Sequence, residues 1–156
     1  MNDMMHEAVV DGKLAELMER ASRLEYEIQT EINVAARRNT MPNLDALEAK
    51  LAAVHAEAAP LEEEFNVARW PRWFPCLNTN GHVHATLTCA SLQHDTRMGW
   101  ATTLSGRDAA SVVAEYGTDV CSVCVPEAPA LPQPAYGSKA AQERDAARLE
   151  CILAAR

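Results

Sequence analysis

The chain has 156 residues, 48% apolar but only 5% aromatic content and a net charge of −8. It is too apolar to be wholly disordered, and it has room for one ordinary domain or two small ones. Its acidity opposes long-range attraction of phosphate, which counts against general nucleic-acid binding. The acidity is local: residues 1–68 carry 14 carboxylates against 6 Lys/Arg, while acids and bases balance from residue 69 onward.

Residues 4–38 read as a helix. Leu14, Leu17, Ala21, Leu24 and Ile28 step by three and four and so share one face, which Ile32 and Ala35 continue. Asn39-Thr40-Met41-Pro42-Asn43 is a connector. A second stripe follows in Leu44, Leu47, Leu51, Val54, Ala58, Leu61, Phe65 and Ala68, alternating steps of three and four as a heptad seam does. Two such helices with a short link are expected to fold back as an antiparallel hairpin over residues 1–68. Pro60 removes a backbone donor from the second helix, so a kink or a restart is expected there.

The composition changes at Arg69-Trp70-Pro71-Arg72-Trp73-Phe74-Pro75, whose two prolines are expected to end the helix. The three tryptophans fall at 70, 73 and 100, as if a small new core were starting. The same stretch, with arginines between aromatic rings, also has the makings of a base-stacking surface. The reading adopted is that the rings fill the core and the arginines stay solvated. Residues 82–88 read as a strand, and Gly99–Leu104 as its hairpin partner. Ser105-Gly106-Arg107-Asp108 has the form of a capping box, opening a short helix that runs to Tyr116 and is ended by Gly117. Four prolines between 126 and 134 predict an extended linker over 127–137. Ser138 then caps a last helix over 138–156.

The chemistry lies in the cysteines. No run of about 18 apolar residues is present, so no membrane-spanning helix is expected. The first residues lack a basic region followed by an apolar stretch, so no secretory signal is expected. A cytoplasmic chain keeps its thiols reduced, which favours metal ligands or buried thiols over disulfides. Cys121-Ser122-Val123-Cys124 is a Cys-x-x-Cys knuckle, whose spacing lets both sulfurs turn toward one ion. Cys89 supplies a third ligand. His84, four intervening residues before it, supplies a fourth, with His82 on the same strand face as its competitor. The expected site over residues 69–126 is one structural Zn2+ held by His84, Cys89, Cys121 and Cys124; thiolates suit zinc better than a hard cation. Four protein donors close the shell that a catalytic zinc would leave open, so no enzymatic role is expected. Cys76 and His94 are weaker ligand candidates, read otherwise as a core thiol and a solvated turn residue; Cys151 reads as a lone thiol, and His6 and His55 as surface residues.

Several separated blocks carry a resemblance: residues 78–84, Cys89, Leu104-Ser105-Gly106, Val113-Ala114-Glu115-Tyr116-Gly117, and the run from Cys121 to Pro129. Together they resemble a group of small zinc-binding proteins encoded by actinobacteriophages, which also have an alanine-rich helical N-terminus. The resemblance implies a phage origin and a metal site, and it implies no activity. His84, Cys89, Gly117, Cys121, Cys124 and Pro126 are also similar in outline to zinc-ribbon domains, including the metal-binding domain of Ada-type DNA repair proteins. That likeness favours His84 over His82. The Ada-type domain uses four cysteines and a basic surface; this sequence departs on both counts, so repair activity is not implied.

The expected protein is therefore α+β: a helical hairpin, a zinc-stabilised ββα-type domain and a C-terminal helix. The expected role is a non-enzymatic interaction protein acting on a host or phage protein in the bacterial cytoplasm, with a homodimer through the helices in keeping with the heptad seam. A nucleic-acid-binding zinc module and a thiolate or redox enzyme are the alternatives.

Overall fold

Heptad-like stripes flanked by breakers become two long helices. The computed structural model describes residues 3–78 and 82–130, with Glu143, Ala146, Ala147 and Glu150 beyond them. Helix α1 spans Asp3–Arg38, and Arg37 and Arg38 place positive charge at its C-terminal end, where the helix dipole favours it. Asn39 stops it with a left-handed φ of 52°, and the Thr40 amide closes back onto the Ala35 carbonyl. Helix α2 spans Asp45–Ala68, with Asp45 and Glu48 in its first turn. It ends at Arg69, whose φ of 53° lets its amide bond to the Phe65 carbonyl.

Helix α2 runs unbroken through Pro60, without the expected restart. Proline leaves the Ala56 carbonyl without its helical donor. Both Ala56 and Pro60 are exposed, so water can satisfy that carbonyl at little cost.

The described chain divides into two compact units, Val10–Arg69 and the remainder, which takes in the start of α1 together with the segment from Trp70. In the first unit, α1 and α2 form an antiparallel hairpin. Leu14, Leu17 and Ala21 of α1 and Val54 and Ala58 of α2 are buried. Leu24, Ile28, Leu47, Leu51, Leu61 and Phe65 are only half-buried, because two helices cover a seam from one side. Arg20 and Glu57 meet across the hairpin at 3.5 Å, both half exposed, a contact that contributes little.

In the second unit, β1 (Phe74–Pro75) pairs antiparallel with β2 (Val83–His84), setting Phe74 opposite His84 and Pro75 opposite Val83. The expected hairpin between residues 82–88 and 99–104 does not form. The Gly99 and Ala101 amides donate instead to the Pro75 and Trp73 carbonyls, and Leu77 donates to Arg97. The 97–101 segment therefore lies on the far side of β1, which has a neighbour on each side. The one proline of β1, Pro75, reads as a helix terminator in the sequence. Pro75 is tolerated because its carbonyl, which accepts from Gly99, is the group the ladder uses. On the other edge of β2, Val83 bridges Val120 in parallel and the Cys121 amide donates to the Val83 carbonyl.

Helix α3 (Ala109–Tyr116) follows a 3-10 turn over Thr102–Leu104. Its N-cap is Asp108, whose Oδ1 accepts from the Ser111 amide at 2.7 Å. The capping box expected at Ser105 is displaced by three residues. Ser105 closes the preceding 3-10 turn, and Gly106, at a φ of 80°, turns the chain before α3 can start. The core joins Trp73, Val83, Leu104, Val112, Tyr116, Val120, Val125 and Ala128. Trp73 is 1% exposed, and its indole N–H donates to the Arg107 carbonyl at 3.1 Å.

Up to residue 130, the described residues are mixed α and β: two long helices, a small antiparallel sheet and a shorter helix. Ala128 is buried in the core, so the folded unit extends into the first residues of the expected linker. Residues 131–137 of that linker and Cys151 lie outside the described residues. So does most of the expected last helix; Glu143, Ala146, Ala147 and Glu150 within it are helical.

Candidate metal centre

The sheet and two turns bring four donors together. His84 is the last residue of β2, and the backbone bond from Cys121 to Val83 fixes the start of the knuckle beside it. The knuckle then folds tightly, with the Val125 amide donating to the Cys121 carbonyl at 2.9 Å. Cys89 returns through a turn in which the Thr88 amide donates to the Thr86 hydroxyl.

The donor atoms of His84, Cys89, Cys121 and Cys124 all lie within 4.8 Å of one another. Cys89 Sγ stands 3.9 Å from Cys121 Sγ, and His84 Nδ1 3.4 Å from Cys124 Sγ. His84, Cys121 and Cys89 are 2%, 4% and 8% exposed, and Cys124 is half-buried. Three buried donors, an imidazole and two thiols, with a third thiol at the margin, form a cluster that could hold a metal ion.

The electrostatics follow from burial and from neighbouring donors. Burial lowers the His84 pKa below its ordinary 6.5, so the imidazole is neutral at pH 7, as a ligand must be. Burial, with the Cys89 thiol beside it, pushes the Cys124 thiol up to about 12, although the Ala85 backbone amide works in the opposite direction. At Cys89, burial also acts upward, but the Ser91 hydroxyl and amide and the Cys124 and Cys121 thiols outweigh it and lower the pKa. Within the metal-free cluster, Cys89 is thus better prepared than Cys124 to be a thiolate.

His82 stays outside the group: its ring centroid lies 6.3 Å from that of His84, edge to face. Cys76 is buried with its thiol 3.6 Å from Met98 Sδ, and burial raises its pKa. His94, His6 and His55 are exposed. Trp70 and Trp73 are buried, so neither ring offers a stacking surface. Arg72 lies 4.5 Å above the centre of the Trp100 ring.

Sequence reasoning missed Ser91, whose hydroxyl reaches both Cys89 and Cys121. Its one sequence signal is its place two residues after a ligand. It also missed the Ala85 amide, which the sequence cannot mark because every residue but proline carries one.

No described helix is long and apolar enough to cross a membrane. The chain matches no family model, no curated protein and no solved structure.

Proposed function

We propose that this chain is a non-enzymatic, zinc-stabilised interaction protein, in which one Zn2+ held by His84, Cys89, Cys121 and Cys124 ties the knuckle to the sheet. The observation that carries the zinc reading is the donor spacing. A tetrahedral zinc, with Zn–S of about 2.3 Å and Zn–N of about 2.0 Å, separates two sulfurs by about 3.8 Å and a sulfur from a nitrogen by about 3.5 Å. The chain sets one pair of each kind, Cys89–Cys121 and His84–Cys124, at 3.9 Å and 3.4 Å, and all four donor atoms within 4.8 Å of one another. Three thiolates and an imidazole suit zinc and leave no open position for a reacting water.

The core of this unit is small, and a bound ion would add folding free energy to it. The half-buried seam of the hairpin supports the interaction role, because Leu24, Leu47, Leu51 and Leu61 would be covered further by a third or fourth helix. A protein partner, or a second copy of the chain, would supply those helices. The resemblance to phage-encoded proteins is what favours a host or phage protein as that partner.

Native mass spectrometry of the full chain, with and without chelator, tests the reading. One zinc per chain is expected, absent in Cys121→Ser and retained in Cys76→Ser. A folded wild-type chain that takes up no metal would sink the zinc reading. The same spectrum counts the copies in the assembly.

A further inference from the structure

Ser91 sits where two of the sulfurs can share one donor. Its Oγ lies 3.2 Å from Cys89 Sγ and 3.4 Å from Cys121 Sγ. A metal-bound thiolate carries no proton, so between hydroxyl and thiolate the hydroxyl must donate. Such a bond is charge-assisted and stronger than one between neutral groups. Ser91 is itself exposed while both sulfurs are buried, so its hydroxyl stands at the solvent-facing margin of the cluster. Three thiolates around a dication leave one negative charge in excess, and that charge makes zinc thiolates open to electrophiles and oxidants. Cys124 has a different donor, the Ala85 backbone amide, which no side-chain substitution removes.

Resting on the zinc reading above, we propose that Ser91 is a positioning residue that sets the reactivity of the Cys89–Cys121 edge. Its O–H draws electron density from these two thiolates and slows their attack on electrophiles, keeping the centre structural and inert. Cys124 lies outside its reach and serves as an internal control.

The test uses the zinc-loaded full chain and iodoacetamide. Each thiolate displaces iodide and gains a carbamidomethyl group, and initial rates are read cysteine by cysteine by mass spectrometry. In Ser91→Ala, Cys89 and Cys121 are expected to react roughly threefold to tenfold faster, with Cys124 unchanged. Ser91→Thr restores the wild-type rates. In the cobalt-substituted protein, the sulfur-to-metal charge-transfer bands of Ser91→Ala shift to lower energy. The isosteric pair Ser91→Val and Ser91→Thr, which differ by the hydroxyl alone, repeats the comparison if the alanine variant does not fold. Unchanged rates in Ser91→Ala, or equal acceleration at all three cysteines, would overturn the inference while leaving the zinc reading intact. A wild-type chain without metal would overturn the zinc reading first, and this inference with it.

Discussion

Cys89 Sγ and Cys121 Sγ stand 3.9 Å apart although 32 positions separate them along the chain. Cys89 arrives through the turn after β2, and Cys121 through the parallel bridge between Val83 and Val120. Neither device alone makes the pair. The spacing belongs to the folded unit, so an ion held there would be coupled to the folding of that unit.

Chelation should therefore unfold the second unit more than the hairpin. Trp73 sits in the core that Val83 and Val120 share with the knuckle, so its near-UV circular dichroism reports on that unit. With the metal stripped, the near-UV signal should collapse, while the helical far-UV signal of α1 and α2 falls much less. Proven metal loss with an unchanged near-UV spectrum would show that the core of Trp73, Leu104 and Val112 holds the unit unaided.

Metal affinity should rise with pH. Cys124, at about 12 in the metal-free cluster, is protonated at pH 7, so an ion must displace that proton. One displaced proton gives about a tenfold gain in affinity per pH unit between pH 6 and 8, and any further protonated thiol steepens the slope. His84 adds nothing across the upper part of that window, because burial has lowered its pKa and it is already neutral. Its sign appears on the acid side of the metal-free protein. A depressed pKa contributes stability above the ordinary 6.5 that is lost as pH falls through the folded value. Competition titrations against a chromophoric chelator at several pH values measure the slope; a flat profile would contradict the burial of Cys124 in its thiol form.

The helices and the four donors were legible in the sequence, because each leaves a local periodic signal: steps of three and four for α1 and α2, and fixed short spacings for His84/Cys89 and Cys121/Cys124. The sheet was not. Its strands are two residues each, too short for alternation to register, and Pro75 read as a helix terminator although it sits in a strand with a neighbour on each side. The choice between His82 and His84 was not legible from alternation either, since both point to one strand face. The Cys121 amide bonded to Val83, a long-range contact, places His84 beside the knuckle. Ser91 was invisible for a similar reason: its hydroxyl acts on Cys121, thirty positions away in the chain.

Substitution at the start of α3 should separate the two capping residues. Asp108 Oδ1 holds the Ser111 amide at 2.7 Å, so Asp108→Ala should cost about 1 kcal/mol, and Asp108→Asn much less. Ser105 Oγ is buried and makes no hydrogen bond among the described residues, so Ser105→Ala should be neutral or slightly stabilising. Urea unfolding of the four proteins decides it. A larger loss at Ser105 than at Asp108 would restore the capping box to the position that the sequence pattern suggests.

Gly117 offers the sharpest backbone test. It ends α3 at φ 53° and ψ −118°, and its amide bonds to the Val113 carbonyl. An added Cβ would meet nothing within 4 Å, so crowding by neighbours cannot be the cost of a side chain here. The cost is the backbone conformation itself, which lies outside the left-handed helical region that asparagine tolerates. Gly117→Ala should therefore destabilise the unit by about 1–3 kcal/mol, and Gly117→Asn should be no milder. A left-handed helical cap would instead let asparagine recover part of the loss. Because Gly117 lies four residues before Cys121, metal stoichiometry by native mass spectrometry should be read beside the thermal melts. One metal per chain at a lowered melting temperature means that strain at the helix end is borne by the fold while the site survives. Loss of the metal would mean that the turn sets the position of the knuckle directly.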